Sequence, residues 1–361
     1  MNTRIENVRR LFEPLGIDGM IIADGTNMRY LTGFEGGTGD GLVLIGRENA
    51  ALITDARYEE EYRERLDEGT QLLVTRDYWG VAMAAAKRFK IENLGFEDTL
   101  PFRDFDYLDE NFVGVDIAPV PALLEAIREV KDADELAKLR RSADVAVAAF
   151  NEMVPQLHVG MTERKVANLL DRIIKEKGAD KASFDTIVAS GYRGALPHGT
   201  YSDKPIAAGE LVTIDFGYFV DGYTSDITRT LAFGELDEES KRIYDVTLAA
   251  QRATIDAVKP GVANATLDAV ARDIITEAGY GKEYNHATGH GIGLDIHEGP
   301  ILSASSPAED VVREGMLLTI EPGIYVAGKG GVRIEDDVVV TADGFENLTA
   351  GIPTDLIVID K

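Results

Sequence analysis

The strongest constraint in this chain is a pair of stretches in which carboxylates sit inside otherwise apolar strands. The first, residues 211–230, reads LVTIDFGYFVDGYTSDITRT. Asp221-Gly222 signals a two-residue hairpin turn, because the favoured tight turns need positive φ at both central positions. With the turn there, Val220 stands opposite Tyr223, Asp215 opposite Thr228 and Asp226 opposite Gly217. Side chains alternate along a strand, so Thr213, Asp215, Gly217, Thr224, Asp226 and Thr228 share one face. The other face carries Val212, Ile214, Phe216, Tyr218 and Ile227, an ordinary core. Asp215 and Asp226 become diagonal neighbours with Cβ atoms about 7–8 Å apart or somewhat less. Gly217 leaves space beside Asp226.

The second stretch, residues 317–340, turns at Gly328-Lys329-Gly330-Gly331. A loop of odd length sets Tyr325 opposite Arg333 and Gly323 opposite Glu335. Glu321, Gly323, Tyr325, Arg333, Glu335 and Asp337 then share a face. An unpaired buried carboxylate is costly, and four of them on facing surfaces require cations. A solvent-facing polar row fits poorly with such apolar strands. A salt-bridge network is the rival, and only Arg333 is well placed to serve it.

Five histidines are present. His158 falls in a loop between helices and reads as structural or exposed. His286, His290 and His297 lie in YNHATGHGIGLDIHEGP, where Gly289, Gly291 and Gly293 permit close backbone approach. Three histidines in so short a span, between two carboxylate hairpins, point to a site. His198 follows Leu196-Pro197 in a loop after a strand at residues 186–189. His297-Glu298 lacks the second histidine of a zincin HExxH helix, so that reading fails.

Around these motifs the chain alternates helices and strands, an α/β (α+β) pattern. A capping box at Thr3 and Glu6 opens a helix whose apolar positions Ile5, Val8, Leu11, Phe12 and Leu15 run to Gly16. Strands are expected at residues 20–23, 42–45, 51–54, 72–75, 94–96 and 113–117, and helices at 59–66 and 81–89. This small domain, residues 1–130, shows no cluster suggesting chemistry. Lys131-Asp132-Ala133-Asp134 is the expected joint to a second domain, residues 131–361. There a long helix at 134–154 and a shorter one capped by Thr162 are followed by the first hairpin. The order recurs with helices at 239–258 and about 267–275 before the second hairpin. Two similar halves leave a site between them.

Composition narrows the partners. The net charge is −26, which repels nucleic acid phosphate and anionic lipid. Cysteine is absent, so thiolate metal sites and disulfides are excluded. No apolar h-region opens the sequence and no apolar run approaches membrane-spanning length. A cytoplasmic protein is expected.

These motifs together resemble the pita-bread metallopeptidases: methionine aminopeptidase, aminopeptidase P and prolidase. The resemblance covers the chain from about Lys131 onward, with DFGYFVDGYTSDITRT, TGHGIG, TIEPGIY and VRIEDD in order. The N-terminal third, with NMRYLTGF and LITDARY, is similar to the extra domain of the Xaa-Pro branch, which methionine aminopeptidases lack. The resemblance implies a pita-bread domain with a pseudo-twofold repeat and a metal centre of Asp215, Asp226, His290, Glu321 and Glu335. Asp215 is implied to bind one ion with both oxygens, Asp226 and Glu335 to bridge a pair, and His290 and Glu321 to complete the other. Glu321 is also the implied proton shuttle. His198 and His297 are implied to steady substrate and the tetrahedral intermediate, and His286 to line the pocket. Tyr325, Arg333 and Thr228 are implied to hold the ligands from behind.

Oxygen ligands with one imidazole suit two divalent ions, manganese first, with cobalt, zinc or iron as the alternatives. The implied substrates are peptides with proline in second position, and the implied assembly is a homodimer. One departure stands out. Some prolidases carry an Arg near the histidine matching His297 to grip a dipeptide carboxylate, whereas HEGPILSASSPAEDVV is Arg-free until Arg313. Aminopeptidase activity on longer peptides is therefore expected at least as much as dipeptidase activity. The other candidates are a methionine aminopeptidase-like enzyme and a non-catalytic binding protein. A creatinase-like relative would not keep five ligands.

Overall fold

The structure of the protein is a computed structural model that describes residues 3–360. The chain divides into two compact units, one up to Ile127 and one from Arg128 on.

In the first unit the described residues form a six-stranded mixed sheet. Its order is Thr70–Val74, Ala50–Thr54, Gly41–Gly46, Gly19–Ile22, Asn93–Glu97 and Asp116–Val120. Apolar runs fill both faces of the central strands, and Ala82, Ala85 and Ala86 of the helix Tyr78–Arg88 pack close on one of them. The expected strands are present, the last shifted from 113–117 to Asp116–Val120 because Gly114 turns the chain at φ 83°. The expected helix at 59–66 is a single turn, Glu59–Tyr62. The first helix is interrupted, giving Thr3–Arg9 and Phe12–Leu15. Pro14 is the cause, because its ring clashes with the carbonyl four residues back, that of Arg10. Thr3 already lies inside the helix instead of capping it.

Three short helices have no counterpart in the sequence reading: Gly25–Thr32, Phe102–Asn111 and Leu123–Arg128. The first begins with Gly-Thr-Asn, poor helix formers. It holds because the Asp24 carboxylate accepts from the Asn27 N–H and Gly33 closes it in the left-handed region.

The second unit repeats one scheme. The helix Ala133–Met153 starts at a capping box between Asp132 and Glu135, and Glu163–Glu176 is capped by Thr162. Val166, Leu170, Ile173 and Ile174 of the second helix join Phe150, Val212, Ile214, Phe216 and Ile227 in one apolar core. That core backs a mixed sheet of Val358–Ile359, Ile227–Phe233, Glu210–Phe216 and Ile187–Ser190, in which the first pair is parallel and the others antiparallel. The helices Glu238–Asp256 and Asn264–Glu277 stand likewise against a sheet containing Gly289–Gly291, Leu317–Ile320 and Asp336–Val340. Among the described residues no helix is long and apolar enough to cross a membrane.

Candidate metal centre

The first hairpin turns where the sequence places it. Asp221 and Gly222 have φ of 52° and 83°, as a type I′ turn requires. Val220 pairs with Tyr223, Ile227 with Phe216 and Thr228 with Asp215. Asp226 lies between the strands Tyr223–Thr224 and Ile227–Phe233, and its N–H donates to Asp337 Oδ2 at 3.1 Å. Gly217 is required for a different reason from the one expected. A Cβ there would collide with the Ser183 hydroxyl, the Ser225 carbonyl and the Phe184 ring.

The second hairpin departs from the expected register by two residues. Gly323 pairs with Arg333 and Val326 with Gly330, so the turn is residues 327–329. Gly330 and Gly331 are strand, because Gly331 lies flat on the Gly194 backbone where a Cβ would strike the Gly194 carbonyl. A shift of two preserves the alternation of faces. The next ladder pairs Ile320 with Asp336 in the same count. Glu321 and Glu335 therefore sit opposite each other at the break between ladders, not on a diagonal.

Asp215, Asp226 and Glu335, all buried, offer one oxygen each within 4.8 Å of one another. His290 Nε2 lies 3.3 Å from Glu321 Oε1 and 3.8 Å from Asp226 Oδ2. Its Nδ1 is 3.0 Å from the Gly291 carbonyl, an acceptor only, so Nδ1 carries a hydrogen and Nε2 is the nitrogen turned to the carboxylates. Gly289 and Gly291 let this strand in, since a Cβ on either would meet the carbonyl of Thr319 or of Gly299. A cavity of about 370 Å³ opens over the group, lined also by His198, His286, His297, Tyr325 and Arg333. Every candidate ligand and pocket histidine read from the sequence borders this one space.

Behind the ligands Arg333 spreads its donors. Nη2 reaches Asp215 Oδ2, Nη1 the Tyr325 hydroxyl at 2.7 Å and the Pro197 carbonyl at 3.3 Å, and Nε the Thr228 hydroxyl at 3.1 Å. Thr228 passes its own hydrogen to Glu335 Oε2 at 2.7 Å. Tyr325 donates to His286 Nε2, whose Nδ1–H is spent on the Ala287 carbonyl. Both nitrogens of His286 are thus engaged, and its ring forms wall. The ring centroids of His297 and His290 are 4.5 Å apart. His158 is exposed, and its ring Nδ1 contacts only its neighbour's carbonyl, Val159, among the described residues. His158→Ala is expected to change turnover by less than about two-fold, the ordinary scale of a surface substitution; a specific loss of kcat would show that the cavity is not the whole site.

The charges do not balance without a cation. Burial pushes Asp226 well above the usual carboxylate range, and the charges of Glu335, Asp215 and Glu321 push the same way. Burial does the same to Glu335, with Glu321 and Asp215 adding to it. Asp215 is raised by burial against the pull of Arg333. Glu321 alone of the five is lowered: burial raises it most, but the hydrogen bond and charge of His290 with the charges of His286 and Arg333 together more than offset that. Asp215 Oδ1 is buried with no hydrogen-bond partner among the described residues. A polar atom so stranded, beside carboxylates held against their preference, fits divalent cations and not a neutral ligand.

Several contributors carry no sequence role. Thr319 Oγ1 accepts from the His290 N–H at 3.0 Å and turns toward Glu321 Oε1 at 3.4 Å. Asp337, placed on the shared face but given no task, holds the Asp226 backbone and leaves Oδ1 unpartnered among the described residues. Phe184, Ile187, Ile296 and Ile301 supply apolar wall. Nothing in their local patterns separates them from core residues.

Comparison with known proteins agrees with this geometry. Residues 137–342 match the metallopeptidase family M24, and residues 4–130 match the creatinase/prolidase N-terminal domain. An uncharacterised peptidase of Bacillus subtilis, YqhT, is 40% identical over 99% of this chain and 100% of its own length. A solved Xaa-Pro dipeptidase from Bacillus anthracis superposes with a TM-score of 0.93 at 40% identity, covering 99% of each chain. An X-Pro aminopeptidase from Thermotoga maritima gives 0.89 at 35% identity, over 98% of this chain and 99% of that one. With its carboxylate-rich cavity and a match across more than half its length, the chain belongs to metallopeptidase family M24.

Proposed function

We propose that the protein is an Xaa-Pro peptidase that works with two divalent ions and hydrolyses the bond between an N-terminal residue and a following proline. The observation that carries this is the convergence of Asp215, Asp226 and Glu335, with His290 and Glu321 beside them, on the floor of one cavity. The solved likenesses named above are an Xaa-Pro dipeptidase and an X-Pro aminopeptidase. In this reading Asp215 would hold one ion, His290 and Glu321 the other, and Asp226 and Glu335 would be shared between them. When bound, such ions polarise a carbonyl and acidify water.

The chain's own groups do the rest. Glu321 is held below the usual carboxylate range, so it is ionised and able to take a proton from attacking water. It delivers that proton to the prolyl nitrogen, the C–N bond breaks, and proline leaves as a secondary amine. Burial holds His297 below the usual histidine range, so its imidazole is neutral and donates one N–H toward the oxyanion. His198, which lines the same cavity, is the second donor in this reading. Phe184, Ile187, Ile296 and Ile301 offer the pyrrolidine ring apolar surface. Proline has no N–H to satisfy, which suits such a wall. Manganese is the first expectation for the metal. The same reading takes the chain as two domains divided near residue 130, and as a cytoplasmic homodimer.

Metal analysis of manganese-reconstituted protein is expected to give two ions per chain, with chelation removing activity and manganese restoring it. Firm binding of no metal would sink the reading.

Substrate length follows from the cations. Among the described residues lining the cavity Arg333 is the one Arg or Lys, and its donors are spent on Asp215, Tyr325, Thr228 and Pro197. No guanidinium is left to grip a dipeptide carboxylate. A charge-assisted pair there would contribute about 1.5–3 kcal/mol, favouring dipeptides by about ten-fold or more. The expected kcat/KM for Ala-Pro-Ala therefore equals or exceeds that for Ala-Pro. A strong preference for Ala-Pro would mean that another cation reads the carboxylate. Rapid cleavage of Met-Ala-Ser at the same rate would overturn the proline assignment and leave the metal centre standing.

A further inference from the structure

His198 is exposed at the tip of an irregular loop, yet the proposed reaction needs it held in place. The loop leaves the strand Ile187–Ser190, makes a short 3-10 turn at Gly191–Ala195 and returns past Ser202. Both of its ends meet on a single side chain. Glu163, the first residue of the helix Glu163–Glu176, is 0% exposed. Its Oε1 accepts from the Ser190 N–H at 2.9 Å and the Ser190 hydroxyl at 2.8 Å. Its Oε2 accepts from the Ser202 N–H at 2.9 Å, the Ser202 hydroxyl at 2.6 Å and Arg193 Nη1.

The direction of these bonds is fixed by their neighbours. Lys204 Nζ donates to Ser190 Oγ at 2.9 Å, and the Lys204 N–H donates to Ser202 Oγ at 3.1 Å. Each hydroxyl therefore turns its own hydrogen to Glu163. Arg193 closes the ring by donating from Nη2 to the Thr200 carbonyl, two residues from His198. Inside it, the Gly199 N–H returns to Leu196 and the Thr200 N–H to the His198 carbonyl. All donors around Glu163 come from the loop or its roots.

We infer that Glu163 is a positioning residue that sets the place of His198 by fastening both ends of its loop to one buried carboxylate. It touches no substrate. Ordering an irregular loop costs backbone entropy, and a clamp present before substrate arrives removes that cost from the reaction. The inference rests on the proposed proline-directed hydrolysis for its kinetic meaning, while the clamp itself can be read without turnover.

The test compares Glu163→Gln, His198→Ala and their double variant with the parent, all manganese-loaded, on Ala-Pro-Ala. A misplaced catalytic group costs on the order of 100-fold, so Glu163→Gln is expected to lower kcat/KM by about 10- to 100-fold, chiefly in kcat. In the His198→Ala background the same change should cost less than about three-fold, because the group it positions is gone. A variant that was merely destabilised would lose the same factor in both backgrounds, and that result would overturn the proposal. Should Glu163→Gln fail to fold, Ser202→Ala removes one of the five bonds and should show the same dependence on His198 with a smaller loss; equal losses in both backgrounds would again overturn it. The second readout is amide hydrogen exchange of metal-free protein. Residues 191–200 should exchange faster in Glu163→Gln than in the parent, and unchanged exchange there would count against the clamp. If the parent cleaves no X-Pro peptide, the functional reading fails, and exchange alone decides whether Glu163 holds the loop.

Discussion

Glu335→Ala is expected to abolish measurable turnover, a fall in kcat/KM of about 1000-fold or more, if, as proposed, its carboxylate is shared by two ions. Glu335 is buried, lies within reach of both Asp215 and Asp226, and is oriented by the Thr228 hydroxyl at 2.7 Å. Alanine at this position deletes the oxygens at the middle of the group and leaves Thr228 pointing into a gap. Folding should respond in the opposite sense. In the metal-free chain burial and the neighbouring charges oppose the ionised form of Glu335. Its pKa in the folded state therefore lies above the ordinary glutamate value of 4.5. Such a group lowers stability as pH rises past the unfolded value, and the lowered stability persists above the folded one. The metal-free parent should become less resistant to denaturant as pH climbs from about 4.5, and Glu335→Ala should flatten that decline. Calorimetric titration with manganese should show the lost affinity directly. Turnover within ten-fold of the parent would remove Glu335 from the centre.

That two opposite effects can be assigned to one residue depends on how much of the site the sequence exposed. The Asp221-Gly222 dipeptide admits one turn type, one turn type fixes one register, and the register places Asp215 against Thr228. Three glycines in or beside the second turn, Gly328, Gly330 and Gly331, left its position open. The choice was made by Gly194, a residue of a different loop, against which Gly331 lies flat. Such a contact leaves no local trace. Parity survived the error because strand faces alternate in twos, which is why Tyr325 and Arg333 still converge on the cavity. The long helices of the second unit were legible from their period and caps. The helix Gly25–Thr32 was not, because its stability comes from Asp24 and Gly33 at its ends and from buried Met28 and Leu31, against weak propensity within. Asp337 and Thr319 went unassigned for another reason. They act on the ligands' backbone and rims, and nothing in a sequence distinguishes a buried acid that holds a ligand from one that is a ligand.

Arg333→Met should destabilise the metal-free protein by about 3–5 kcal/mol, the usual cost of removing one partner from a buried ion pair. Arg333 is 4% exposed and gives Asp215 Oδ2 a charge-assisted hydrogen bond. Methionine fills part of the volume but offers no donor, so Asp215 stays buried with one oxygen already unpartnered and the other newly so. Thr228 and Tyr325 lose a donor as well, which loosens Glu335 and His286 in turn. In the proposed reading a bound divalent ion would neutralise Asp215. Ligands that bind only the folded state stabilise it, so saturating manganese should recover part of the loss. The expected result is a large drop in denaturant midpoint under chelation and a smaller one with metal. Arg333→Lys keeps a charge but cannot reach Asp215, Thr228 and Tyr325 together, and should fall between parent and Met. Equal losses with and without manganese would mean that Arg333 stabilises the fold through Tyr325 and Pro197 alone, and that Asp215 does not face the ions.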